Sequence, residues 1–497
     1  MLKDPFCFPF LPLLSLAVLL FLLLRRICSK SKPRPLPPGP TPWPVVGNLL
    51  QIGTNPHISI TQFSQTYGPL ISLRLGTSLL VVASSPAAAT AVLRTHDRLL
   101  SARYMFQTIP DKRKHAQLSL STSPFCDDHW KSLRSICRAN LFTSKAIESQ
   151  GGLRRRKMKE MVEFLQSKQG TVVGVRDLVF TTVFNILSNL VFSRDLVGYV
   201  GEGFNGIKSS FHRSMKLGLT PNLADFYPIL EGFDLQGLQK KAVLYNKGVD
   251  STWEILVKER RELHRNNLVV SPNDFLDVLI QNQFSDDQIN YLITEVLTAG
   301  IDTTTSTVEW AMAELLKNKD LTEKVRVELE REMKIKENAI DESQISQFQF
   351  LQQCVKETLR LYPPVPFLLP RLAPEPCEVM GYSIPKDTSI FVNAWGIGRD
   401  PSIWEEPSAF KPERFVNSDL DFKAYDYRFL PFGGGRRSCP GLLMTTVQVP
   451  LIIATLIHNF DWSLPNGGDL AQLDLSGQMG VSLQKEKPLL LIPRKRT

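Results

Sequence analysis

The chain has 497 residues, 43% hydrophobic and 22% charged, a balance that suits a buried core and excludes a disordered or collagen-like chain. Its 58 Lys and Arg against 49 Asp and Glu leave a net charge of +9; spread over so large a surface, this favours an acidic membrane or protein partner, and no basic-aromatic strip points to nucleic acid. The cysteines Cys7, Cys28, Cys126, Cys137, Cys354, Cys377 and Cys439 are odd in number and form no C-x-x-C pair, which argues against a disulfide framework or a zinc site and fits a reducing compartment.

Residues 6–24 form an uncharged, mostly aliphatic run, long enough at about 1.5 Å of rise per residue to cross a hydrocarbon core of about 30 Å. A cleaved secretory signal carries its positive charge ahead of the run and a small-residue cleavage site behind it. Here the basic flank follows the run, at Arg25, Arg26, Lys30, Lys32 and Arg34. The expectation is an N-terminal transmembrane helix within 1–24, single-pass, with the rest of the chain on the cytosolic side. Residues 25–44 are a basic and proline-rich linker; its KPRPLPPGPTPWP stretch forbids a regular helix and favours an extended strap between the anchor and a body over 45–497.

From residue 45 onward, apolar residues recur at helical spacing between Pro, Gly and Asn clusters. Strand patterns are few: 70–75 with 79–83 across Gly76-Thr77-Ser78, then 390–392 and the tail near 489–492. The expected fold class is mainly α with small β-sheets.

Several segments carry chemistry, in chain order. Trp130 and Arg134 make a W-x-x-x-R pair one helical turn apart, so that indole and guanidinium reach one carboxylate. Gly201 to Gly206 spell G-x-G-x-x-G, but no apolar strand leads into them and a dinucleotide site needs one. Ala299, Gly300, Ile301, Asp302 and Thr303 lie within a long helical stretch, where acid and hydroxyl side chains ordinarily bond nearby carbonyls or solvent. Glu-x-x-Arg occurs at Glu262/Arg265, Glu323/Arg326, Glu328/Arg331 and Glu357/Arg360, a spacing that on any helix is usually a solvated surface pair. The last copy differs: it lies in KETLRLYPP, where Pro363-Pro364 stop the helix, with Pro412-Glu413-Arg414-Phe415 further on.

The most informative segment is Phe432 to Gly441, FGGGRRSCPG. A haem iron needs a protein ligand, and a cysteine thiolate pushes electron density towards bound oxygen. Cys439 suits that role. The glycines let backbone lie close to a flat macrocycle and aim amides at the sulfur. Pro440 and the helical run after it set the sulfur at a helix N-terminus, where the dipole favours a thiolate, and Arg437 is placed to pair with a haem propionate.

Phe432, Gly435, Arg437, Cys439 and Gly441, in F-x-x-G-x-R-x-C-x-G, resemble the haem loop of the cytochrome P-450 superfamily, and the other marks stand in that family's order. The resemblance implies the cytochrome P-450 fold, heme b with an axial thiolate from Cys439, and a monooxygenase. It implies that Trp130, Arg134 and Arg371 bind propionates beside Arg437, that Glu357, Arg360 and Arg414 form a structural ion network behind the haem, and that Gly300 opens a distal helix on which Asp302 and Thr303 relay protons. One departure is Thr445, where the family usually has a small alanine.

The chain shows no flavin or NADPH region of its own, so the resemblance implies an NADPH-cytochrome P-450 reductase as electron donor, with Lys131, Arg138, Arg428 and Arg436 as docking residues, and residence in the endoplasmic reticulum membrane. Family substrate regions map to 101–125, 204–235, 297–303, 365–369 and 477–482. Ala299, Gly300, Phe367, Leu368 and Met479 are the expected pocket residues, which implies a small lipophilic substrate alongside molecular oxygen. The strap and AGIDTTTSTVEWAMAELL resemble plant enzymes acting on benzylisoquinoline or tropane alkaloids, with monoterpenoid hydroxylases next. These include hydroxylases, phenol-coupling oxidases and a mutase. A non-oxygenating haem-binding or sensor protein is the alternative of another class, one that has no need of Asp302 and Thr303 as a relay.

Overall fold

The computed structural model describes residues 35–218, 220–266, 274–333, 340–423, 426–480 and 482–496; the apolar run at 6–24 lies outside them. The longer helices, in chain order, are α1 (Pro56–Tyr67), α2 (Asp128–Cys137), α3 (Gly151–Ser167), α4 (Val175–Phe192), α5 (Ile207–Leu217), α6 (Leu238–Arg265), α7 (Asp286–Lys317), α8 (Lys319–Glu332), α9 (Gln349–Leu361) and α10 (Leu442–Asn459). The strands are β1 (Leu70–Leu75), β2 (Ser78–Ala83), β3 (Val173–Gly174), β4 (Arg371–Leu372), β5 (Cys377–Val379), β6 (Tyr382–Ile384), β7 (Ser389–Val392), β8 (Phe460–Ser463), β9 (Gly477–Met479), β10 (Leu483–Lys485) and β11 (Leu490–Lys495). The expectation of a mainly helical chain with small sheets is met.

The largest sheet has the order β1-β2-β7-β4. Its hairpin turns at Gly76, whose φ of 61° suits glycine, and pairs Leu75 with Ser78, so the second strand begins one residue earlier than its apolar pattern. β2 runs parallel to β7, and the unbroken apolar run Leu79 to Ala83 fits a strand covered on both faces. The short strands β3, β4, β5, β6, β8, β9 and β10 escaped the sequence pattern, because two to four residues are too few to show alternation.

α4, α7 and α10 build the main core, which includes Phe184, Leu297, Met312 and Ile453. At about 2 kcal/mol per fully buried Leu, Phe or Met side chain, this cluster is the principal source of stability. α4 and α10 are long and apolar enough to cross a membrane, but 78% and 61% of their respective spans are buried within the protein, which identifies them as core helices. Ser285 caps α7 in a reciprocal capping box with Gln288, and Asp127 caps α2 by accepting the Trp130 amide, so both site-bearing helices start at fixed residues.

Candidate active site

α10 begins immediately behind the cysteine loop. The Cys439 amide donates to the Phe432 carbonyl at 3.0 Å, closing the loop, while the Phe432 ring meets Phe422 edge-on at 5.5 Å. Gly435 has φ 69°, and a Cβ there would collide with the Asp97 carboxylate and the Leu93 carbonyl; only glycine fits. The Cys439 side chain is accessible, yet burial pushes its thiol above the ordinary cysteine pKa, opposed by the Gly441 amide, Arg134 and the Leu442 amide. Ala299 is likewise exposed although its neighbours on α7, Leu297 and Ile301, are buried.

Arg134, one turn after Trp130 on α2, donates to the Ser438 carbonyl at 2.6 Å and so holds the residue before Cys439. The Trp130 indole donates to the Leu120 carbonyl at 2.8 Å, and the Arg437 guanidinium lies 4.5 Å from the centre of its ring. Arg437 also donates to the carbonyls of Ser101 and Ser123. Arg371 donates to the carbonyls of Leu100 and Gly434.

A fourth guanidinium, Arg103, carries no motif in the sequence, where it stands as a lone base between Ser101-Ala102 and Tyr104-Met105-Phe106. It pairs with Arg371 across an isolated β-bridge, donates to the Leu369 carbonyl at 2.5 Å, and leaves its buried Nε without a partner. Burial together with Arg371 and Arg437 holds its pKa well below the ordinary arginine range, and burial brings Arg371 down to about 10 despite Asp97 3.8 Å away. So concentrated a set of buried cations with an unused donor calls for an anion. The residues fit a dianionic haem whose sulfur ligand is Cys439.

The four Glu-x-x-Arg copies separate by burial, Glu262 and Arg265 being both exposed. Arg360 forks onto Glu357 at 2.6 and 2.7 Å with both side chains buried, and Arg414 reaches the same carboxylate at 3.2 Å. Lys411 adds its amide at 2.8 Å. By contrast Glu323 and Arg326 are 3.9 Å apart with Glu323 exposed, and Glu328 instead accepts the amides of Phe350 and Leu351.

On α7 the Thr303 hydroxyl donates to the Ala299 carbonyl at 2.7 Å, leaving its oxygen lone pairs free to accept. Asp302 points elsewhere, towards the β9–β10 hairpin, where Gln484 donates to its Oδ1 at 3.0 Å and Ser482 also faces the carboxylate. Burial raises its carboxyl pKa, with Ser482 and Arg176 opposing. At Gly300 a Cβ would lie 2.7 Å from Leu187 on α4, so the missing side chain also lets α7 pack closely on α4, and the exposed small residue beside it is Ala299. Glu295, a further residue the sequence did not single out, gathers Ser119, Leu120 and Ser121 onto α7.

Leu368 lies 3.5 Å from where a Gly433 Cβ would stand, against the cysteine loop, while Phe367 and Met479 share an apolar cluster with Leu73, Leu80 and Val82 of the largest sheet. At Thr445 the hydroxyl turns back to the Gly441 carbonyl at 3.0 Å, and the departure leaves α10 regular.

The family model for cytochrome P450 matches residues 37–492. The chain is 45% identical over 484 residues to (S)-N-methylcoclaurine 3'-hydroxylase isozyme 1 of Papaver somniferum, covering 97% of this chain and 99% of the relative. It is 44% identical over 483 residues to isozyme 2 of that enzyme from Eschscholzia californica, with 97% and 98% covered, and 43% identical over 484 residues to corytuberine synthase of Coptis japonica, with 96% and 97% covered. A cysteine loop, an arginine cluster and a buried Glu-x-x-Arg pair, matched along nearly the whole length, place the chain in the cytochrome P450 family as a haem-binding monooxygenase.

Proposed function

We propose that this monooxygenase oxidises a lipophilic benzylisoquinoline-type alkaloid, with Cys439 as the thiolate ligand and electrons from a membrane-bound NADPH-dependent reductase. The observation that carries the reading is the accessible Cys439 sulfur in a loop braced by Arg134, with the buried Arg103 Nε left unsatisfied in the arginine cluster among the described residues; the alkaloid class rests on the relatives' names. A haem held there supplies reductive activation of molecular oxygen. Arg103, Arg371 and Arg437 orient its carboxylates, Trp130 packs under Arg437, Arg134 and the Gly441 amide steady the sulfur, and Phe367, Leu368 and Met479 exclude water from the substrate side. The decisive experiment reduces the microsomal protein, adds carbon monoxide, and then supplies reductase, NADPH and (S)-N-methylcoclaurine. A Soret band of thiolate-ligated haem with a hydroxylated product supports the reading; that band without turnover of the alkaloid, but with turnover of a monoterpenoid, moves the substrate to the second class.

Asp302 and Thr303 are proposed to deliver protons, burial having raised the Asp302 carboxyl pKa so that it holds a proton more readily than an exposed carboxylate does. Asp302→Asn is expected to lower product formation about a hundredfold while NADPH consumption falls less and hydrogen peroxide rises; unchanged product per NADPH removes Asp302 from the relay.

The domain scheme, with an anchor over 1–24, a linker over 25–44 and the catalytic body over 45–497 facing the cytosol at the endoplasmic reticulum, is part of the proposal. Trp43 at the end of the strap, Val45, Ile229, Phe233 and Leu235 are all exposed, and Tyr227 donates to the Val45 carbonyl, linking the strap's end to the 223–235 segment; such exposed apolar groups suit a lipid surface. Lys131, Arg138, Arg428 and Arg436 are all exposed and form the proposed reductase face. Lys131→Glu with Arg138→Glu is expected to slow reductase-supported turnover about tenfold at low salt and to leave peroxide-supported turnover alone; equal loss in both assays would contradict a docking role.

A further inference from the structure

The geometry points to a discharge path, formed by Trp310, Tyr362 and Glu314, that carries an oxidising equivalent out of the active site when no substrate consumes it. Trp310 lies on α7 beyond Thr303, about 10 Å along the axis at 1.5 Å per residue. Its ring is fully buried and stacks on Tyr362 with centroids 3.9 Å apart and planes 5° from parallel. The Tyr362 hydroxyl donates to Glu314 Oε1 at 2.6 Å. Monooxygenation itself asks nothing of these three groups.

The surrounding charges decide where an electron vacancy rests. The Lys485 ammonium lies 5.1 Å from the Trp310 ring centre, and the Arg399 guanidinium lies 4.0 Å from that of Trp395 and 5.7 Å from that of Tyr362. A neighbouring cation makes an indole radical cation costly, and the Trp310 N–H faces only the Leu483 carbonyl at 2.9 Å, which takes no proton. Of the three rings Trp310, Tyr362 and Trp395, it is Tyr362 that has a carboxylate at its polar hydrogen, so losing an electron and a proton together leaves a neutral radical that the cations do not penalise. Burial and Glu314 keep the unoxidised phenol far above its ordinary pKa. Burial also raises the carboxyl pKa of Glu314, with Glu357 adding to the rise and Tyr362, Lys317 and Lys485 opposing.

The step balances as follows. The monooxygenase's own oxidising equivalent takes one electron from Tyr362 by way of Trp310, the O–H bond breaks, and the proton passes to Glu314 Oε1. A small one-electron donor of the ascorbate class then restores the phenol, and Glu314 returns the proton. Arg399 stops the vacancy from moving on to Trp395, which is half-buried and edge-on to His57 at 5.1 Å.

The test uses substrate-free ferric holoenzyme mixed with hydrogen peroxide, frozen rapidly and read by electron paramagnetic resonance. A tyrosyl radical is expected in the native protein, lost in Tyr362→Phe, and diminished in Glu314→Gln, whose amide oxygen accepts the hydrogen bond but not the proton. Both variants should also bleach after fewer peroxide turnovers, with alkaloid oxidation in the reductase assay unchanged. Haem content is checked first; if Tyr362→Phe does not hold haem, Glu314→Gln and the stack-preserving Trp310→Phe carry the test, and an undiminished signal in both overturns the path. A tyrosyl signal that survives Tyr362→Phe, or no radical in the native protein, overturns it as well.

Discussion

Arg360→Leu is expected to leave microsomes with no haem-containing protein. The substitution strands Glu357, which is fully buried, and removes donors that otherwise satisfy Glu357 and the carbonyls of Pro407 and Ala409. Breaking a buried ion pair by removing one partner costs about 3 to 5 kcal/mol, against a total stability of about 5 to 15 kcal/mol for a folded protein. Arg414 still reaches Glu357 at 3.2 Å, but through one donor where Arg360 supplies two. Lysine at 360 cannot reproduce the fork and is expected to fail nearly as badly. Immunoblotting beside the reduced carbon monoxide spectrum separates loss of chain from loss of haem; a variant that keeps the native spectrum at native yield would mean that the Pro412 to Phe415 turn is held by its packing on α9 alone.

Cys439→Ser is expected to keep the fold and lose the chemistry completely. The change is nearly isosteric, the loop is held by the Phe432 carbonyl and by Arg134 on Ser438, and neither contact involves the sulfur. What disappears is the negative charge pushed towards the iron. The melting temperature of the apoprotein should therefore stay near native while the carbon monoxide complex loses its thiolate signature and turnover falls to background. Native turnover in this variant would remove Cys439 as ligand and leave the arginine cluster to be explained by another anion.

The two predictions differ because the two motifs were legible in the sequence to different degrees. The cysteine loop could be read from one line of residues, since a ligand, its glycines, an arginine and a following helix all fall within one short segment whose physical demands are local. Glu357 and Arg360 are also adjacent, but nothing local separates them from Glu323/Arg326 or Glu328/Arg331. Burial does so, and burial is a property of what packs on α9. Gly300 shows a related case: its helix was expected, but the close approach of Leu187 on α4 is a contact that only the packing of the two helices shows.

The sequence by itself determined the mainly helical class, the β1–β2 hairpin, the helix behind Cys439 and the family, because each follows from periodicity, turn chemistry or a motif within reach of its neighbours. Only the tertiary structure decided that Arg103 joins Arg371 and Arg437, that Asp302 turns to Gln484 in the far C-terminal hairpin, and that Tyr362 stacks on Trp310. Those partners are separated by tens to hundreds of residues along the chain. They meet because loops and short strands from distant parts of the chain pack against α7 and against one another, and each buried polar group there must find a partner or be left, like the Arg103 Nε, to bind something else.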